Sequence, residues 1–577
     1  MLTAVLRTYL RPYRLQLSVV IVLQLAASIT ALFLPTLNAR LIDDGVAKGD
    51  TGFILSTGGV MVAITFGQIL CTIGAVYFGA RASMGFGRDL RAGIYHAVGG
   101  FSDQEFSSFG APSLITRNTN DVNQVQMLVM LTCTMLVSAP LMCIGGVVMA
   151  LRENLDLSWL LAVSVPLLLL AITLVITRMV PLFRQMQKLI DAVNRVLREQ
   201  LTGLRVVRAF VREPLEGERF AKANSDLTET ALQIGRYQAL MFPIVMLIVN
   251  VSSVAVLWFG AHLIDDGSLQ IGQMSAFLNY LMQILVAVLM ATVMAVLIPR
   301  AAVCADRIKE VLDTVPAVDR PAQPQTPATR TGTVELRGAQ FSYPGAETPV
   351  LTDLDLTCAP GTVTAIVGST GSGKSTLVGL IPRLFDVTGG QVLVDGIDVR
   401  LQDQDELCAR IGLVPQQAYL FSGTIASNLR YGKRDATDEE LWEALRIAQA
   451  DDFVAELAEG LEAPVAQGGT NFSGGQRQRL AIARAVVRRP QIYVFDDSFS
   501  ALDLGTDARL RHALRPTVTE ATVIIVGQRV STIADADQIL VLEDGVTVGL
   551  GRHEELVRTC PTYGEIVRSQ LPAELSA

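Results

Sequence analysis

Ahead of Arg300 the sequence contains six long runs with no Asp, Glu, Lys or Arg: 15–39, 51–80, 122–151, 157–177, 237–264 and 267–299. A soluble core rarely supplies several uncharged runs of that length. A helix crossing the hydrocarbon core of a bilayer, in contrast, needs about 20 apolar residues in a row. The composition agrees, with only 18% of residues charged against about a quarter in a soluble domain. No run after Arg300 qualifies. The expected architecture is therefore a membrane all-α domain of six spans, residues 1–312, followed by a domain of different character.

Basic residues in the connections set the expected orientation. Arg7, Arg11 and Arg14 precede the first span, and Arg81, Arg88, Arg91 and Arg117 lie between the second and third. The segment 178–236 is dense in Arg and Lys, while the other connections are short and acidic, with Asp43, Asp44, Asp50, Glu153, Asp156, Asp265 and Asp266. The N-terminus and everything beyond the sixth span are expected in the cytosol, in a multi-pass protein of the cell (inner or plasma) membrane with lipids as its surroundings. The first apolar run is too long for a signal peptide and is expected to remain as a span. A net charge of −8 argues against nucleic acid, whose binders carry a basic face. The seven cysteines include no CxxC pair, so they fit neither a zinc site nor a disulfide framework.

Within 178–236, Leu189, Ile190, Val193, Val196, Leu197, Leu201 and Leu204 recur at the three- and four-residue spacing of an amphipathic helix. At about 1.5 Å per residue, each arm of such a loop reaches roughly 30 Å from the membrane, with Gly203 and Pro214 as turning points. Pro316, Pro321, Pro324 and Pro327 mark 313–332 as a semi-rigid linker. From 333 to 577, short β-branched runs alternate with helical stretches, the pattern of an α/β domain.

That domain opens with a phosphate-binding motif. The strand-like run 362–367 leads into Gly368, Ser369, Thr370, Gly371, Ser372, Gly373, Lys374, Ser375 and Thr376, and then into an apolar helical stretch. This is G-x-x-x-x-G-K-[ST] in the strand–loop–helix setting that gives it meaning. The glycines let backbone N–H groups close around phosphate oxygens at a helix N-terminus. Lys374 can reach the β- and γ-phosphates, and the Ser375 hydroxyl can ligate Mg²⁺. A second apolar strand, 492–495, ends in Asp496 and Asp497. A carboxylate at the C-terminal end of a strand, where ligands collect in α/β sheets, suits the magnesium role. A cytosolic P-loop ATPase domain with ATP and Mg²⁺ as cofactors is the expectation.

Residues 472–479 (FSGGQRQR) resemble the signature motif of ABC ATPases, in the usual interval before the Asp496 strand. Other pieces agree in order: Tyr343 resembles the aromatic residue that stacks on adenine, Gln416 the Q-loop glutamine that also serves magnesium, and 500–503 (SALD) the D-loop ending in Asp503. With six spans ahead of it, nearly the whole chain resembles the exporter-type (type IV) half-transporters, which include multidrug exporters and lipid flippases. The resemblance implies a site shared between two chains, in which Ser473, Gly474, Gly475, Gln476 and Asp503 complete the ATP site of a partner. It also implies that the inner loops, around 106–122 and 202–220, pass nucleotide-domain closure to the spans.

Two positions depart from the family pattern. Its Walker B strand ends in Asp-Glu, where the Glu polarises the attacking water, and this chain has Asp497. Its switch histidine is here Gln528, followed by the usual Arg529. An Asp is shorter by roughly 1.5 Å, and a base must come within about 3 Å of its proton. Gln donates a hydrogen bond but carries no charge. Binding groups are kept while Asp497 and Gln528 are changed. The expectation is export or flipping of an amphipathic, lipidic or drug-like substrate by a heterodimer in which this chain holds the degenerate ATP site. The partner half-transporter would carry the consensus Glu and His. A homodimer with slow ATPase and a nucleotide-gated channel or regulator are the alternatives, and an importer of exporter shape stays open.

Overall fold

The structure, a computed structural model, describes residues 1–570. It divides into two units, Met1–Val98 with Pro112–Thr314, and Gly99–Ala111 with the chain from Val315 onward.

The first unit is helical throughout. A short helix, α1 (Leu2–Leu10), precedes α2 (Arg14–Arg40) and α3 (Thr51–Gly99). The third apolar run forms α4 (Val122–Leu131) and α5 (Ser138–Glu153), separated by a π-helical turn at Thr132–Leu136. Three long helices follow: α6 (Ser158–Thr202), α7 (Glu213–Asp265) and α8 (Ile271–Asp313). Among the described residues, six helical segments are long and apolar enough to cross a membrane, one on each uncharged run. The arms between spans four and five are continuous with α6 and α7. The chain turns between them at Gly203 and again at Arg212, with Pro214 in the first turn of α7 where a proline costs no hydrogen bond.

Polar contacts between apolar helices fix this unit. The Thr36 hydroxyl on α2 donates to Glu153 Oε1 on α5 at 2.9 Å and lies 2.7 Å from the hydroxyl of Tyr280 on α8. The Tyr280 hydroxyl also bonds to the Leu32 carbonyl at 2.8 Å. Ser164 on α6 and Ser252 on α7 share a hydrogen bond of 2.7 Å. Close approach supplies the rest: a Cβ on Gly146 would lie 2.8 Å from Ile284 Cγ1, so α5 and α8 touch through a glycine. Large apolar side chains such as Phe66, Leu170, Phe242 and Trp258 point outward. In a bilayer that is the favourable arrangement, because each helix satisfies its own backbone.

The second unit is α/β. A sheet with strand order β2–β1–β4 is built from β1 (Val334–Phe341), β2 (Leu351–Cys358) and β4 (Gly389–Val394), with a two-residue strand at Ile397–Asp398 on its edge. The larger sheet contains β3 (Val363–Gly368), β5 (Ile411–Val414), β6 (Ile492–Asp496), β7 (Thr522–Val526), β8 (Gln538–Glu543) and β9 (Val546–Gly551), in the order β9–β8–β3–β7–β6–β5. All its pairings are parallel except β8–β9. Parallel strands are covered on both faces, which is why β3, β6 and β7 read as unbroken apolar runs. Their C-terminal ends meet at one place, and the P-loop and both aspartates emerge there.

The proline-rich segment after Asp313 has no regular structure until β1, yet it is fastened to this unit. The Ala317 N–H donates to Glu105 Oε1, 3.0 Å away on the helix Asp103–Phe109. Asp395 Oδ1 accepts from the N–H groups of Thr331, Gly332 and Thr333 at 3.2, 2.7 and 3.0 Å, while its Oδ2 pairs with buried Arg410 at 2.8 Å. One fully buried carboxylate therefore anchors the linker's end to the sheet. Removing one member of such a pair leaves an uncompensated buried charge, at a cost of about 3–5 kcal/mol. Asp395→Ala in the full chain should lower the melting midpoint of this domain by roughly 10 °C, read by scanning calorimetry in detergent.

Candidate functional site

The P-loop is held open by geometry that only glycine adopts freely. Gly371 and Gly373 have φ of +88° and +93°. A Cβ at Gly373 would come within 2.6 Å of Leu351 Cδ2, and one at Gly368 within 2.2 Å of the Leu542 carbonyl oxygen. The loop then enters the helix α9 (Lys374–Leu380). Lys374 Nζ donates to the carbonyls of Gly368 at 2.9 Å and Ser369 at 2.6 Å, so the ammonium is folded back into the loop. Burial lowers the pKa of Lys374, opposed by the charges of Asp497 and Asp496.

Asp496 closes β6, and its Oδ1 accepts from the Ser375 hydroxyl at 3.0 Å. Burial raises the pKa of both Asp496 and Asp497. The Ser375 hydroxyl opposes the shift at Asp496, the Gln416 amide opposes it at Asp497, and the charge of Lys374 opposes it at both. Asp497 sits in the left-handed region at φ +45°. Its Oδ2 accepts from two amides, Gln528 Nε2 at 2.9 Å and Gln416 Nε2 at 3.4 Å. Tyr343 packs edge-on against Phe341 and Phe385, with ring centroids 4.9 and 5.8 Å away, and its hydroxyl meets Thr376 Oγ1 at 3.2 Å. Half-exposed Tyr343 forms one wall of a cavity of about 400 Å³ lined also by Thr370, Lys374, Ser375, Gln416, Asp496, Asp497 and Gln528. The open loop, the lysine and the acidic pair under an aromatic rim fit a nucleoside triphosphate.

Comparison with known proteins agrees. The sequence profile of the ABC transporter transmembrane region matches residues 17–288, and that of the ABC transporter matches residues 351–500. An uncharacterized ABC transporter ATP-binding protein of Mycobacterium tuberculosis is 56% identical over 574 residues, covering 99% of this chain and 98% of the relative. The chain belongs to the ABC transporters. An ATP-dependent lipid A-core flippase of Syntrophus aciditrophicus is 33% identical over 483 residues, covering 84% of this chain and 80% of that one. The structure of a bacterial Atm1-family ABC exporter with ATP bound matches with a TM-score of 0.81 at 25% identity, over 98% of this chain and 100% of that one. The protein thus has the membrane and nucleotide-binding domains of an ABC exporter half-transporter, and as an ABC transporter it binds ATP and couples its hydrolysis to transport.

The remaining sequence-predicted residues lie outside this cavity. Ser473 caps the helix α10 (Gly474–Val487) in a reciprocal capping box: Gln476 N–H donates to Ser473 Oγ at 3.3 Å, and Ser473 N–H to Gln476 Oε1 at 2.9 Å. Nothing stands within 4 Å of a Cβ built on Gly474. Asp503 caps the helix α11 (Leu504–Leu514) by accepting from Thr506 N–H at 2.9 Å. Arg529 ties the D-loop to the segment after β7 that carries Gln528, donating to the carbonyls of Leu502 and Ser500 at 3.0 and 3.1 Å.

In the first unit, a cavity of about 420 Å³ opens among α2, α3, α5 and α8. Its polar groups are Gln24, Ser28, Gln68, Thr72, Thr134, Ser138 and Gln283, its soft apolar ones include Met142, Met282 and Met290, and among the described residues no ionisable side chain lines it. Sequence reading missed these residues individually, although three glutamines inside apolar runs were a signal. Phe385 behind Tyr343 carries no comparable signal.

Lys374→Ala in the purified ABC transporter chain should lower ATP affinity at least about tenfold, since it removes the cation placed to meet the phosphates. Photolabelling by an azido-ATP analogue in the presence of Mg²⁺ measures this.

Proposed function

We propose that this chain is one half of a heterodimeric exporter and carries its degenerate ATP site. The observation that carries the reading is the Asp497 carboxylate held by the amides of Gln528 and Gln416. A residue activating the attacking water needs a free oxygen at the end of a long enough side chain. Here the acid is short and its Oδ2 is engaged by amides. Gln528 lies where a histidine would add positive charge in the transition state, and an amide supplies only a dipole there. Ser375, Asp496 and Gln416 would hold Mg²⁺, which would neutralise charge on the β- and γ-phosphates, and the Gln528 amide would then be the group left on Asp497 Oδ2. Tyr343, the P-loop from Gly368 to Thr376 and Asp496 hold the nucleotide. Ser473, Gly474, Gly475, Gln476 and Asp503, which are not among the residues lining this cavity, complete the site of a partner chain that has the consensus Glu and His.

The cargo in this reading is amphipathic, lipidic or drug-like. The uncharged, methionine-bearing cavity with scattered amides and hydroxyls suits such a molecule, and the similarity to a lipid A-core flippase supports it. A channel would instead favour ionisable residues or polar rings along the spans. The orientation follows the arginine-rich loops, with the N-terminus and ATPase domain cytosolic.

Steady-state ATPase assays test the proposal. The chain alone should turn over slowly, and Asp497→Glu combined with Gln528→His should raise that rate by about 10²-fold. Ser473→Ala should silence the complex formed with the partner half-transporter. Brisk hydrolysis by the unmodified chain alone would instead indicate a homodimer with two working sites.

A further inference from the structure

We infer that the N-terminal helix and the first span form a binding site for one anionic glycerophospholipid, separate from the transport cavity. Between α1, the start of α2, and α4 with the π-turn after it lies a second cavity, about 230 Å³ in volume. Its walls are almost wholly apolar: Leu6, Leu10 and Leu17 on one side, and Leu128, Val129 and Val137 on the other. Ile21, 46% exposed, stands at its lip, so the cleft communicates with the lipid surroundings. A dry, apolar slot in a membrane domain is a receptacle for hydrocarbon.

The charges along its border select what kind of molecule brings that hydrocarbon. Arg7 adjoins Leu6, Arg11 adjoins Leu10, and Arg14 sits one turn before Leu17. All three are exposed, and among the described residues none of their guanidinium groups has an ion pair or a side-chain hydrogen bond. The nearby carboxylate of Asp89 is already held, by Arg88 and by the Tyr13 hydroxyl at 2.7 Å. Three exposed arginines, each within one to three positions of a leucine that lines the slot, match a lipid whose headgroup carries net negative charge. Arginine forks fit the phosphate oxygens, while the cationic headgroup of a zwitterionic lipid would face the same three charges. Juxtamembrane basic residues favour anionic lipid by about a factor of five each, so a preference of at least tenfold is expected. The site needs neither nucleotide nor a partner chain, so its failure and the failure of the transport reading are distinguishable.

The test is native mass spectrometry of the full chain released from nanodiscs of equimolar phosphatidylglycerol and phosphatidylcholine, without ATP. Retained lipid should be phosphatidylglycerol over phosphatidylcholine by at least about tenfold. Arg7→Gln/Arg11→Gln/Arg14→Gln should erase the preference while a lipid is still held. Ile21→Trp, which blocks the lip from an exposed position, should reduce retention of both lipids. ATP photolabelling at the remote P-loop checks that each variant is folded. Equal retention of the two lipids by the unmodified chain, or an undiminished preference in the triple variant, would overturn the assignment. So would Ile21→Trp changing the oligomeric mass and leaving lipid retention untouched, since the cleft would then belong to a protein partner.

Discussion

A carboxylate that accepts hydrogen bonds from two amides governs the chemistry of this ATPase domain. Asp497 is placed by β6, turned by a left-handed backbone, and its Oδ2 is met by Gln416 and Gln528. The surrounding parts remain those of a binding site: a glycine loop with its lysine, a serine against the strand-end aspartate, and a tyrosine braced by Phe341 and Phe385. Binding uses groups that meet the phosphates and the base, whereas hydrolysis needs one group free to act on water. The first set is complete here, while at the second stand a short aspartate and a neutral amide. In the proposed reading such a site holds nucleotide longer than it turns it over, one closed site staying clamped while the other cycles.

The membrane domain follows a different economy. Within the uncharged runs its helices carry no charge on any side, so in a bilayer water offers no drive for them to associate, and small residues and a few hydrogen bonds take over. Thr36, Glu153 and Tyr280 join three helices, Ser164 and Ser252 join two more, and Gly146 admits Ile284. The cavity of Gln24, Gln68 and Gln283 keeps polarity without charge. That combination is what the proposed cargo, with an apolar body and a hydrogen-bonding end, would need.

Much of this was legible in the sequence wherever the signal is local. A span needs one uncharged run and a P-loop needs nine residues in order, so the six spans and the nucleotide domain could be read directly. The bends at Gly203 and near Pro214 were legible for the same reason. The helix α1 was not foreseen, because nine residues with a single arginine set no apolar run. The π-turn at Thr132–Leu136 left no mark either, since it lies inside one uncharged run and holds no proline or glycine to signal it. At the nucleotide site the identities of Asp497 and Gln528 were plain, but their contact joins residues 31 positions apart, and Gln416 is 81 positions from Asp497. Likewise the six uncharged runs leave no charge for a cavity between them to take, but they do not tell which glutamines face it, because the inward face of each helix is set by its neighbours.

The central claim is that this chain's own site keeps ATP intact while a partner's site hydrolyses it. Nucleotide trapping in the co-expressed complex measures it directly: labelled ATP is occluded, the chains are separated, and the nucleotide bound to each is identified after several turnovers. The account predicts triphosphate at the site containing Lys374 and Asp497, and diphosphate at the partner's P-loop. Equal accumulation of diphosphate in both sites would contradict it.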